Sequence, residues 1–127
     1  MGIISISVKD QTQKELDKII QEGGFKGRSD AFRAAINLLS REQIQQKKLT
    51  GTVSGVLIVI HDEKHESDFS HARHQFEKVI KTSIHNQLGD EKCLELFILE
   101  GKANEVKTLM KECRKSGRAE YLKLITT

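Results

Sequence analysis

The apolar positions of the chain change period several times. In Met1–Asp10, Ile4, Ile6 and Val8 alternate with Ile3, Ser5 and Ser7, which predicts a short strand with one apolar and one mostly polar face. From Gln11 to Glu22 the spacing of Leu16, Ile19 and Ile20 predicts a helix, stopped by the Gly23-Gly24 pair as a C-terminal cap. Phe25 to Gly27 is a loop. Ser29 is predicted to N-cap a second helix, in which Phe32, Ala35, Ile36 and Leu39 recur at i, i+3, i+4 and i+7. The polar stretch Glu42–Lys48 reads as that helix fraying into a linker.

One strand and two short helices bury too little surface to offset their ordering entropy. The strand has no second strand nearby, so the economical partner is the same strand of another chain. That arrangement is an antiparallel ribbon over four interlocked helices, an obligate dimer. Past the linker the pattern is strand (Val53–Ile60), helix (Asp68–Lys81), strand (Ser83–Leu88), strand (Cys93–Glu100), helix (Ala103–Lys115), strand (Ala119–Ile125). This order is the split βαβ, ferredoxin-like pattern, an antiparallel sheet with both helices on one face. The fold class is therefore α+β, with a strand-helix-helix domain at 1–47 and a βαββαβ domain at 48–127.

Composition sharpens the picture. The 127 residues suffice for one ordinary domain or two very small ones, and exclude a large enzyme. No run of apolar residues is long enough to span a membrane and Met1–Lys9 lacks the regions of a secretory signal, so a cytoplasmic location is expected. Residues 1–50 carry nine Lys or Arg against six Asp or Glu, which is the whole net charge of +3, because residues 51–127 hold twelve of each. A basic N-terminal module fits an anionic partner such as nucleic acid. All five histidines, His61, His65, His71, His74 and His85, fall in the second part. Cys93 and Cys113 form no disulfide framework; Cys113 lies on an apolar stripe and reads as core.

On the helix from Asp68, steps of about 100° per residue place His71 and His74 opposite the apolar stripe. His85 and Gln87 share one strand face. A hairpin centred on Gly89 would set His85 across from Cys93, close enough for an imidazole and a thiolate to hold one metal. His74 is then better placed to serve a neighbouring chain. Plain structural roles stay open for each: solvated helix histidines, an edge-strand histidine, a small core thiol. A Cys-His nucleophile is the enzyme alternative, but no orienting residue or oxyanion element accompanies the pair. His61 and His65, at a charged strand exit, read as solvated.

With ISISVKD, GRSDAFRAAI and the stretch from His74 through His85 to CLELFILEG on the page, the chain resembles the nickel-responsive regulators (NikR) over nearly its full length. These are ribbon-helix-helix repressors fused to an ACT-like metal-binding domain. The resemblance implies a metal-responsive transcriptional regulator, a homotetramer and no enzyme activity. It further implies a square-planar nickel site of three histidines and one cysteine: His74 corresponds to the ligand given in trans, and His85 and Cys93 to ligands given in cis. The remaining position is Gln87. An amide oxygen is a poor donor to a metal favouring nitrogen and sulfur, so His71 or water fills the place, or Cu²⁺, Co²⁺ or Zn²⁺ is preferred, or the response is lost. For double-stranded DNA the resemblance implies base reading in the major groove by Ile3, Ser5 and Ser7, with Ile3 restricted to apolar contact, and phosphate clamping by Arg28 and the N–H groups after Ser29. A DNA-binding regulator sensing a small molecule, or none, is the rival. A toxin-neutralising antitoxin is less compatible with the regular pattern beyond Val53.

Overall fold

The computed structural model describes residues 2–115 and 118–127. The chain divides into two compact units, Met1–Gln45 and Gln46–Thr127. In the first, helix α1 spans Asp10–Gly23 and ends where the Gly24 N–H reaches the Ile20 carbonyl with Gly24 at φ +71°, as the glycine pair predicts. Helix α2 spans Arg28–Lys47, longer than expected at both ends. It starts one residue before Ser29, which therefore lies in the first turn and is not the N-cap. The Ala31 N–H bonds the Gly27 carbonyl instead, and Asp30 reaches back to accept from the Lys26 N–H at 3.1 Å. Glycine holds that half-in position with little loss relative to serine.

Residues 2–9 form no strand within one chain, and the predicted strand's Met1 lies outside the described residues. The physical reason is the one the pattern contains: a lone strand has nothing to pair with in its own chain. Ile4, Ile6 and Val8 are exposed, as are Ile19, Phe32, Ile36 and Leu39 of the helices. Among the described residues of this unit only Ala31 is buried.

The second unit has β1 (Thr52–Asp62), a 3₁₀ turn (Glu63–His65), α3 (Glu66–Gln75), β2 (Ile80–Gln87), β3 (Lys92–Lys102), α4 (Ala103–Arg114) and β4 (Ala119–Thr126). The sheet order is β2-β3-β1-β4, antiparallel throughout, the ferredoxin-like arrangement. Odd-numbered residues of β1 and β3 face the helices. Leu57, Val59, Phe97 and Leu99 meet Phe69 of α3 and Val106, Leu109, Met110 and Cys113 of α4 in one core.

Helix α3 is shorter than expected. Phe76 caps it, and its carbonyl accepts from Val79 and Ile80, turning the chain into β2. Val79 packs over Gly101, 3.2 Å from where a side chain would begin, and its carbonyl accepts from Glu100. Tertiary contact thus overrides a helical pattern that continued through Ile80.

Candidate functional site

The β2–β3 hairpin sets the register of the site. Its turn places positive φ on Asp90 and Glu91, 58° each, and not on Gly89. The hairpin is consequently centred one residue beyond Gly89: His85 pairs with Glu95 and Gln87 pairs with Cys93. His85 therefore does not stand across from Cys93, as the Gly89-centred register required; the two are diagonal neighbours on one face. On the other side of β3, Cys93 pairs with His61 at the end of β1, where a bulge shifts the pairing with β4. His61, His85, Gln87, Cys93 and Glu95 thus line one sheet face, beneath the start of α3.

His61 is fully buried, not solvated. Its ring stacks on Phe69 with centroids 4.1 Å apart. Its Nδ1 lies 2.8 Å from the Asp62 carbonyl, which can only accept, so Nδ1 carries a proton. Its Nε2 faces Glu95 Oε1 at 3.2 Å and Glu66 Oε2 at 3.7 Å. His85 Nε2 approaches the same two oxygens, at 2.9 Å from Glu66 Oε2 and 3.8 Å from Glu95 Oε1. Arg73 takes the opposite oxygens, its Nη1 donating to Glu95 Oε2 at 3.3 Å and its Nη2 lying 3.6 Å from Glu66 Oε1. His65 is half-buried beside Asp68 at 3.2 Å, also short of full solvation.

Burial pushes the Glu95 carboxyl above its ordinary range, against the pull of His61 and Arg73. The Cys93 thiol is raised by burial first and by Glu66, Glu63 and Glu95 next. Its donor atom clusters with those of His61 and Glu66, and those of Glu66, His85 and Glu95 form a second cluster, each within 4.8 Å. Gln87 turns outward, its Nε2 donating to Glu63 Oε1 at 2.9 Å.

The NikR C-terminal nickel-binding domain family matches residues 54–127, and the ribbon-helix-helix, copG-type family matches residues 3–43. A protein of Haloarcula marismortui, provisionally named a nickel-responsive regulator, is 30% identical over 118 residues, covering 90% of this chain and 84% of that one. One of the same provisional name from Methanococcus maripaludis is 32% identical over 130 residues, covering 98% and 90%. The chain belongs to the nickel-responsive regulator family. An uncharacterized protein of Thermotoga maritima shares the fold alone, with a TM-score of 0.53 at 14% identity over 60% of this chain and 98% of that one.

Within this nickel-responsive regulator, His85 and Cys93 come together on one face, whereas His74 does not join them. His74 is exposed in the last turn of α3 and lines an open pocket with Val79, Asn104, Glu105 and Thr108. His71 is exposed as well. In the regulator's N-terminal unit Ile3, Ser5, Ser7 and Ser29 are exposed. Arg28 is engaged by Asp17 through two hydrogen bonds, Nε at 3.1 Å and Nη2 at 3.0 Å, which hold the Asp17 carboxyl below its usual range.

Two participants escaped the sequence reading. His61 and Glu95 were signalled by phase alone: each extends the inward-facing stripe of its strand, Val53-Gly55-Leu57-Val59-His61 and Cys93-Glu95-Phe97-Leu99. Glu66 carried no sequence signal, since only packing of α3 on the sheet brings it there.

Proposed function

We propose that this chain is a cytoplasmic, metal-responsive repressor of transcription, a homotetramer in which ribbon-helix-helix dimers flank a core of C-terminal domains. The observation that carries the reading is the coexistence of two incomplete surfaces in one chain. The N-terminal unit leaves the apolar side of its extended segment uncovered, and the C-terminal unit gathers imidazole and thiol donors on one sheet face. An uncovered apolar sheet surface bearing Ile84, Ile98, Tyr121 and Ile125 supports assembly through the second unit as well.

Nickel is the ion named for the family, and His85 and Cys93 offer the nitrogen and sulfur donors it takes. His74, exposed and apart from them, would complete the site from a neighbouring chain. Gln87 does not complete it, its amide nitrogen being committed to Glu63. A bound ion supplies a positive bridge between copies, and it changes DNA affinity only insofar as it binds one arrangement of the assembly better than another. On the DNA side, the Ser5 and Ser7 hydroxyls would exchange hydrogen bonds with base edges, and Ile3 would contact a thymine methyl. Asp17 holds Arg28 Nε and Nη2, so phosphate contact falls to Arg28 Nη1 and the N–H groups around Ser29.

The test is a titration of the metal-free protein with Ni²⁺, Cu²⁺, Co²⁺ and Zn²⁺, followed by absorption and by binding to DNA selected from a random pool with metal present. A thiolate charge-transfer band, lost in Cys93→Ala and weakened in His74→Ala, is expected with Ni²⁺ or Cu²⁺. DNA affinity should rise by roughly tenfold or more, within the usual range of allosteric coupling. Equal DNA affinity with and without metal would refute metal regulation.

A further inference from the structure

The carboxylates under α3 are oriented in a way that an ion-pair network alone does not require. Arg73 occupies one oxygen of each, Glu66 Oε1 and Glu95 Oε2, and turns the other toward the two histidines. The resulting four atoms, His61 Nε2, Glu66 Oε2, His85 Nε2 and Glu95 Oε1, enclose one point. Because Nδ1 of His61 carries the proton given to Asp62, Nε2 of the neutral ring presents a lone pair to oxygens that also can only accept. Glu66 Oε2 is buried and has no hydrogen-bond partner among the described residues. Acceptors converging around a shared centre want a cation there, and His61 and Glu95, both fully buried, cannot turn to water instead.

We propose that His61, Glu66, His85 and Glu95 form a second metal site, contained within one chain and suited to a four-coordinate divalent cation of the Zn²⁺ or Co²⁺ type. The distances favour tetrahedral geometry. Bonds of about 2.0–2.1 Å set donor separations of about 3.3–3.4 Å in a tetrahedron, against about 2.9 Å between neighbours in a square plane. The separations around the cluster are 3.2, 3.7, 2.9 and 3.8 Å, which bracket the tetrahedral value. The His61 Nδ1–H bond to a backbone carbonyl and the hold of Arg73 on both carboxylates are the outer contacts that fix ligands at metal centres. Two carboxylates less one guanidinium leave one negative charge to attract the ion. The site shares His85 with the proposed regulatory set but uses neither His74 nor the Cys93 thiolate, and it stands whether or not the chain regulates transcription.

Co²⁺ added to the full-length metal-free protein reads the geometry directly. We expect the intense visible d–d bands of a four-coordinate ion without a thiolate band, unchanged in His74→Ala and Cys93→Ala. Affinity should fall more than roughly tenfold in His61→Ala and in Glu66→Gln, losses at least as large as those for outer-shell changes. Glu66→Gln is nearly isosteric at a partly exposed side chain, so it answers the question if His61→Ala fails to fold, with thermal melts confirming folding. Cobalt binding that shows a thiolate band, vanishes in Cys93→Ala and is indifferent to Glu66→Gln would overturn the second site while leaving the regulatory one intact. Absence of four-coordinate cobalt would overturn it equally.

Discussion

Cysteine illustrates how one residue type takes different roles from its surroundings. Cys113 sits among Val106, Leu109, Met110 and the sheet, and burial pushes its thiol up to about 12 from an ordinary 9.0. In the unfolded chain that thiol ionises from about pH 9, whereas in the folded chain it stays neutral until about pH 12. The unfolded state therefore holds fewer protons across this window, and stability falls as pH rises through it, by ~4 kcal/mol at most. Denaturant melts at pH 8 and pH 10.5 should show a steeper alkaline loss for the natural protein than for Cys113→Ala. Parallel pH dependence in the two would show that the thiol is not shielded. Cys93, by contrast, shares its face with His61, Glu66 and Glu95, where the same burial becomes a means of holding a donor next to nitrogen and oxygen ligands.

At the scale of elements, the sheet is held by a close approach that a single glycine permits. A side chain on Gly55 of β1 would begin 2.2 Å from the Ile125 carbonyl oxygen of β4, so β4 cannot keep its place beside anything larger. Gly55→Ala should cost about 1–3 kcal/mol, the range for overpacking, seen as a lowered melting midpoint and faster amide exchange in β4. An unaltered midpoint would mean that β4 yields at no cost. The β2–β3 hairpin shows the opposite freedom, since its turn accepts left-handed Asp90 and Glu91, each against a cost of about 1–2 kcal/mol, to keep Cys93 and Glu95 facing the helices.

For the whole molecule, the two units differ in how far one chain completes them. The C-terminal unit closes a core around Phe69, Phe97 and Leu109, while the N-terminal unit buries only Ala31 among its described residues. Each exposed Ile, Leu or Phe there forgoes roughly 1.5–3 kcal/mol that burial would return. Folding of that unit should therefore be coupled to association: the unfolding midpoint should rise with protein concentration, and sedimentation should show no folded species smaller than a dimer. A concentration-independent midpoint with a sedimenting monomer would contradict this.

The amino-acid sequence by itself determined the order and kind of the elements beyond residue 50, because alternation and helical spacing are local consequences of which face must be buried. It also indicated that the N-terminal strand needs another chain, since Ile4, Ile6 and Val8 have nothing to pair with nearby. The single chain leaves that segment unpaired, as such a strand must be. Only the tertiary structure decided the site. The hairpin centre depended on which turn residues adopt positive φ, a balance of about one kilocalorie that register and core packing tip. Glu66 reached the histidines because α3 docks over the end of β1 and β3, and α3 stopped at Gln75 because Val79 packs over Gly101. Contacts between residues far apart in sequence select among local alternatives of nearly equal energy, so the donor set around His61 and Glu95 became visible only in the folded chain.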